Sequence, residues 1–160
     1  MEGSRPLPVE IQALTTPTHA ASPRRVVTGV DYARASMVLA VLSKHLGFRV
    51  MNEVVFINLT GGLHCREPGI DLPMLCAVAS STRNREIPSD TAVIGEVGLC
   101  GEVRPVAQTE RRLAEVARLG FARAIIPKST KLRNSYNLEV VRVTTARDAL
   151  AALNLLRSGE

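Results

Sequence analysis

Gly61-Gly62-Leu63-His64-Cys65-Arg66-Glu67-Pro68-Gly69-Ile70-Asp71-Leu72-Pro73-Met74-Leu75-Cys76-Ala77-Val78-Ala79-Ser80-Ser81 opens as a glycine turn and passes through a polar loop. It then becomes an apolar segment with no charge between Asp71 and Arg83. A helix that is apolar all round belongs in the middle of a fold, packed on several sides. The stretch predicts such a helix over 71–82. Leu72, Leu75, Cys76 and Ala79 share one face, and Met74 and Val78 cover the other. Pro73 falls in the first turn, where a missing N–H is tolerated. A loop that feeds a central helix also suits a reactive group, because the helix start offers free N–H groups and a positive dipole end.

Toward the N-terminus, Val9 to Leu14 alternates as a half-buried strand does, and 15–23 reads as a loop broken by Pro17 and Pro23. Val26-Val27-Thr28 is a short strand. Asp31 caps a helix from Tyr32 whose stripe is Ala35, Val38, Leu39, Leu42 and Leu46, and Gly47 ends it. Glu53 to Leu59 is a strand. Toward the C-terminus, Thr91 to Ile94 is a strand and 95–101 a glycine-rich bend. Thr109 is expected to cap a helix running to Leu119. Ala124 to Ile126 is a buried strand, 127–137 a basic loop and Leu138 to Val143 a strand. Thr145 caps a last helix to Leu156. Strands and helices mix without strict alternation, so the expected class is α+β. A single domain covers 1–157, with a frayed tail at 158–160. The first residues lead almost at once into a strand, as in a fragment cut at a domain boundary.

The chain has 160 residues, of which 46% are apolar, enough for a real core. Aromatics are 3% and Trp is absent, which argues against a base-stacking platform. The net charge of +5 mildly favours acidic partners such as nucleic acid. The cysteines Cys65, Cys76 and Cys100 are odd in number and form no C-x-x-C pair. They suggest neither a disulfide framework nor a zinc site, and fit a reducing cytoplasm. No apolar run is long enough to span a bilayer, so no membrane partner is expected.

The glycine clusters at 61–62 and 98–101 lack a following Gly-Lys-Ser/Thr, so there is no P-loop. His19, His45 and His64 have no ligand spacing, and no metal is expected in this chain. Cys65 is a candidate nucleophile near the start of the central helix, but its only adjacent base is His64. A Ser–Lys dyad needs a serine at a helix start and a lysine able to lose its proton. Lys44, Lys128 and Lys131 are the only lysines and lie on a surface helix or in the basic loop. Ser80 and Ser81 sit at the wrong end of the central helix, as small residues closing it.

Gly95-Glu96-Val97-Gly98-Leu99-Cys100-Gly101-Glu102-Val103-Arg104-Pro105-Val106 resembles the GE-x-x-L-x-GEV-x-P-I/V segment of Lon-type proteases, and 119–128 resembles the next segment of those proteases. The opening 2–6 and 9–14, Pro23-Arg24-Arg25, Gly29-Val30-Asp31-Tyr32 and Glu67-Pro68-x-x-Asp71-Leu72 are more specific. Together they resemble the C-terminal Lon-like domain of the RadA, or Sms, family of bacterial DNA repair proteins, over nearly the whole chain. The resemblance implies a Lon proteolytic-domain-like fold (ribosomal protein S5 domain 2-like), with mixed sheets and packed helices.

In active Lon proteases the nucleophilic serine comes after a proline at the start of the central helix; the matching position here is Gly69. Their catalytic lysine starts the helix after the GEV segment; counted along the ungapped stretch, that position is Glu110. Neither residue can play its part, so no protease chemistry is expected. The family resemblance further implies a zinc finger and a RecA-like ATPase core, with ATP, Mg and Zn, in the full-length protein and outside this chain. It implies a hexameric ring that acts on single-stranded or branched DNA beside a recombinase. The Lon-like domain would help build the ring and touch DNA, with Arg24, Arg25, Arg104, Arg111, Arg112, Lys128, Lys131 and Arg133 as candidate contacts. The rival expectation is a protease-like domain that cleaves with a displaced nucleophile, Cys65, or that only binds peptide in the old groove.

Overall fold

The computed structural model describes residues 5–156. The frayed tail expected at 158–160 lies outside the described residues. The strands are β1 (Ile11–Pro17), β2 (Arg25–Thr28), β3 (Glu53–Leu59), β4 (Thr91–Val93), β5 (Glu96–Val97), β6 (Val103–Arg104), β7 (Arg123–Pro127) and β8 (Glu139–Val143). The helices are α1 (Tyr32–Leu46), α2 (Asp71–Arg83), α3 (Thr109–Arg118) and α4 (Ala146–Ala152). One sheet has the order β1-β3-β2, with β1 antiparallel and β2 parallel to β3. A second, all-parallel sheet has the order β4-β7-β8, and β5 and β6 form a small antiparallel hairpin. This mixture of parallel and antiparallel pairing fits the α+β class expected.

The central helix is where the sequence places it. Leu72, Met74, Leu75, Cys76, Val78 and Ala79 are all 0% exposed, so both of its expected faces are buried. α2 packs against β1, β3, β5, α1 and α4, which makes it the axle of the larger core. Each large side chain of this kind contributes about 1.5–3 kcal/mol through burial. A smaller core of Ile94, Leu113, Ala124 and Ile126 joins α3 to the parallel sheet.

The polar end of α2 is also used. Ser81 Oγ accepts the Thr15 N–H of β1 at 2.9 Å, and the Thr15 and Thr82 hydroxyls meet at 3.3 Å. The outer face of the same sheet carries apolar groups as well. Leu14 pairs with Phe56 and Val26 pairs with Phe56, so the three exposed side chains form one row across the strands.

α1 has both expected ends. Asp31 Oδ1 accepts the Arg34 N–H, and Gly47 takes a left-handed conformation at φ 73°. Other boundaries differ from the sequence expectation. β1 runs on to Pro17, which stands at the end of the ladder opposite Glu53. The bend expected at 95–101 is the start of the β5–β6 hairpin. Its tip is held by the Cys100 N–H on Glu102 Oε2 and by His45 Nε2–H on the Leu99 carbonyl at 2.8 Å.

Thr109 is not the cap of α3. It is the first helical residue, it is buried, and its hydroxyl donates to the Val106 carbonyl, while Gln108 holds the cap position at φ 58°. Thr145 does cap α4, in a reciprocal capping box with Asp148, but the helix stops at Ala152. Leu153 and Leu155 stay buried beyond its end, with Asn154 left-handed at φ 56° between them. The apolar period runs past the helix because it tracks burial and not helicity.

Gly29 sits where β2 turns toward α1. A Cβ there would lie 2.6 Å from the Leu63 carbonyl oxygen and 2.7 Å from Leu59 Cβ, at φ +82°. Gly29→Ala should therefore cost ~2 kcal/mol or more of unfolding free energy. Gly69→Ala, whose Cβ would meet only Val106 at ordinary contact distance, should cost under ~1 kcal/mol. Urea unfolding of the two variants measures the difference.

Candidate functional site

Gly69 and Glu110, the two positions that the resemblance matches to the dyad, each line a hollow bordered by the segment 105–108. Gly69 belongs to the 3₁₀ turn Pro68–Ile70 that feeds α2, with Pro68 starting the turn. Its carbonyl accepts the Gly95 N–H at 3.3 Å, and the Leu72 N–H donates to the Gly95 carbonyl at 3.1 Å. A Cβ at Gly69 would stand 3.5 Å from Val106 Cγ2 and 3.6 Å from Cγ1. The backbone therefore does not demand glycine, and a small side chain would fit.

Glu110, the second residue of α3, is in a different situation. Its Oε1 accepts the Arg133 N–H at 2.6 Å, the Asn134 N–H at 3.3 Å and the Tyr136 hydroxyl at 3.4 Å. The Arg133 N–H beside it holds the carboxyl below the ordinary carboxylate range, helped by Asn134 and Tyr136. A lysine here would point its own donors at backbone donors. The surroundings are built for an anion, and the residue serves as the anchor of the 128–137 loop.

Next to Gly69, a groove of about 370 Å³ is lined by Glu67, Glu96, Val106 and Gln108 among others. Arg112 crosses it. Its Nε donates to the Ala107 carbonyl at 3.1 Å and its Nη2 to Glu67 Oε2. On the other side of the segment, a cleft of about 270 Å³ separates the first turn of α3 from residues 129–131.

Asp71 belongs to the Glu67-Pro68-x-x-Asp71-Leu72 pattern, but the sequence does not show what it holds. It is 0% exposed, and its Oδ2 accepts Arg34 Nη1 at 2.7 Å and the Val97 N–H at 3.2 Å. Burial pushes its pKa up, against the pull of Arg34. The partners lie 37 and 26 residues away, so no local pattern could have found them.

Cys65 is half-buried against the main core, with its N–H on the Gly29 carbonyl at 2.8 Å. The neighbouring His64 ring lies 3.4 Å from the Leu63 carbonyl, and among the described residues no hydrogen bond joins it to the thiol. Cys76 is fully buried, and burial pushes its thiol up to about 12. Cys100 is exposed on the β5–β6 tip.

The basic candidates fall in separate places. Arg24 is exposed just before β2. Arg25 is half-buried, with Nη2 3.1 Å from Met51 Sδ. Arg104 on β6 pairs with Glu102 at 2.5 Å, and Arg112 is taken up by Glu67. Arg111 on α3 is exposed. Lys128, Lys131 and Arg133 are exposed on the loop that Glu110 anchors, and Arg142 Nη2 grips the Lys128 and Thr130 carbonyls of that loop. No helix among the described residues is long and apolar enough to cross a membrane.

A family model described as subunit ChlI of Mg-chelatase matches residues 27–130. DNA repair protein RadA of Haemophilus influenzae is 45% identical over 156 residues, covering 97% of this chain and 34% of the relative. The protein of the same name from Pseudomonas aeruginosa is 47% identical over 153 residues, covering 95% of this chain and 34% of its own length. That from Escherichia coli is 42% identical over 154 residues, with 96% and 34% covered. The chain thus spans about a third of the length of these relatives.

The Glu110 anchor has a pH signature. Its folded pKa lies below the unfolded value, so the stability it lends is complete above the ordinary glutamate range. That stability is lost as the pH falls through the depressed folded value. Amide exchange at Arg133 and Asn134 should stay slow through the ordinary glutamate range and quicken only below it. Glu110→Ala should make the same amides exchange faster at neutral pH, with the α2 amides unchanged.

Proposed function

We propose that the chain, which belongs to the family described as subunit ChlI of Mg-chelatase and is similar to proteins named DNA repair protein RadA, is a non-catalytic, Lon-like domain of a RadA-type DNA repair protein. Its work is assembly of a ring, as a hexamer, and contact with DNA. The full-length protein would process branched recombination intermediates in the cytoplasm with ATP, beside a recombinase. The zinc, magnesium and nucleotide chemistry would belong to segments outside this chain.

The observation that carries this reading is the extent of the RadA likeness. Identity of 42–47% to the three RadA proteins runs over 95% or more of the chain, whereas the Mg-chelatase description rests on 27–130 alone. The geometry supports the non-catalytic part. Gly69 offers no nucleophile, and Glu110 is committed to three donors of the neighbouring loop. A closed ring needs two unlike, mutually complementary surfaces on each subunit. Light scattering over a range of concentrations tests assembly directly: a strict monomer throughout would count against it.

DNA contact by this domain rests on phosphates, so it should be sequence-tolerant and steeply salt-dependent. The log–log slope should be about −0.9 for each phosphate neutralised on duplex and about −0.7 on a single strand. Reversing the charge of Arg24 and Arg25 should weaken it. Fluorescence anisotropy of labelled oligonucleotides across a salt series reads both effects, and binding indifferent to salt would sink the account.

Peptide cleavage should be absent in a sensitive assay, with or without a thiol-blocking reagent. Turnover that disappears in Cys65→Ala would establish the displaced-nucleophile reading instead.

A further inference from the structure

The tip of the β5–β6 hairpin, Gly98-Leu99-Cys100-Gly101, is braced from within and from behind. The Gly98 N–H donates to the Glu102 carbonyl at 2.9 Å, and the Gly101 N–H to the Gly98 carbonyl at 3.0 Å. His45 of α1 holds the Leu99 carbonyl, and the Ala146 N–H at the start of α4 donates to the Gly101 carbonyl at 2.8 Å. A tip fixed in this way loses little further freedom when something binds it. Yet it presents Leu99 to water at 71% exposure, more than any other large apolar side chain among the described residues. Scattered apolar side chains on a surface are ordinary. A leucine at the apex of a braced turn has the form of an anchor, which gains most when a hollow encloses it.

A matching hollow is present on the same chain. The groove beside Gly69, of about 370 Å³, has an apolar lining of Pro68, Gly69, Pro105 and Val106. With no side chain at 69, nothing from that position fills it. Leu99 does not line the groove of its own chain. β6 separates the tip from 105–108, and the tip is tied to α1 and α4.

The charges match as well. Lys44 precedes His45, and Arg147 Nη2 donates to the His45 carbonyl at 3.0 Å, so two exposed cations stand beside the tip. Glu102, on the hairpin itself, is paired with Arg104. The groove carries two carboxylates, Glu67 and Glu96, against one guanidinium, Arg112. A positive collar and a negative hollow attract one another and set the orientation in which they meet.

We infer that Leu99 of one copy of this chain sits in the Gly69 groove of the next. The inference rests on the ring-assembly reading and gives it a place. An anchor and a socket on different parts of one subunit make a head-to-tail contact, the kind that closes into a ring.

The test uses the native Cys100, exposed next to Leu99, as a reporter. Ala107→Cys puts a second thiol on the exposed rim of the groove. With a short bis-maleimide linker, the Ala107→Cys chain should give a ladder of covalent oligomers on a denaturing gel. The same chain carrying Cys100→Ser should give none. A mixture of the parent with that double variant should stop at the dimer.

Leu99→Asp should raise the concentration at which light scattering detects association by roughly tenfold or more, as expected for losing a buried leucine. Leu99→Met should leave it near the parent's. Neither change should lower the unfolding midpoint, because Leu99 is exposed within its own chain.

Association that Leu99→Asp leaves intact, or a parent chain that cross-links through Cys100 alone, overturns this contact while ring assembly stands. Association lost in Leu99→Asp with no ladder through residue 107 overturns the groove as the socket. A chain that stays monomeric and forms no ladder removes both the contact and the reading beneath it.

Discussion

The buried carboxylate of Asp71 is the constraint on which the arrangement of the groove depends. It stands at the first residue of α2, in the core, and receives Arg34 from α1 and the Val97 N–H from β5. A charge this deep is tolerated only when it is paired, and breaking such a pair by deleting one member typically costs about 3–5 kcal/mol. The pair therefore fixes three elements against one another. β5 leads through its hairpin to 105–108, the segment that separates the groove from the cleft. The position of Val106 over Gly69 thus depends on a contact made at the first residue of α2.

The two dyad positions differ in physical kind. At Gly69 the side chain is missing, and the turn would accept a Cβ at ordinary contact with Val106. At Glu110 the environment suits an anion, because backbone donors from 133 and 134 converge on the carboxylate. A Cβ at 69 would need no rearrangement, whereas a lysine at 110 would have to release the loop that the glutamate holds. On the proposed reading, the missing nucleophile at 69 and the claimed carboxylate at 110 together keep the domain from cleaving peptides, and the loop so held displays Lys128, Lys131 and Arg133.

Much of the fold was legible in the sequence where local chemistry decides it. Asp31 and Gly47 bracket α1, Pro73 and the uncharged run place α2, and the strand read over Glu53 to Leu59 is β3 with both ends right. Legibility failed where a residue's role depends on something distant. Thr109 looks like a cap, yet its hydroxyl is claimed by Val106 and Gln108 takes the left-handed position. β5 and β6 are two residues each, too short to show a period. For the candidate site, the resemblance pointed to positions 69 and 110 and took in Val106 and Arg133, but nothing in it showed that Val106 stands against Gly69 or that the Arg133 N–H and Tyr136 hydroxyl claim Glu110. The pairing of Arg34 with Asp71 spans 37 residues, beyond the reach of any local pattern.

The contact between Ser81 and β1 has a consequence for how the first sheet chooses its partner. Strand register is normally enforced because a slip by one residue throws the buried side chains into water. β1 and β3 weaken that penalty, since Leu14 and Phe56 already stand on the wet face. Face alternation alone discriminates poorly between the native alignment and a shifted one. The Thr15 N–H on Ser81, flanked by the Thr15–Thr82 hydroxyl pair, can form in one alignment only. The small polar residues that close the central helix thereby act as an index mark, selecting one strand pairing among near-equals while adding little to its strength.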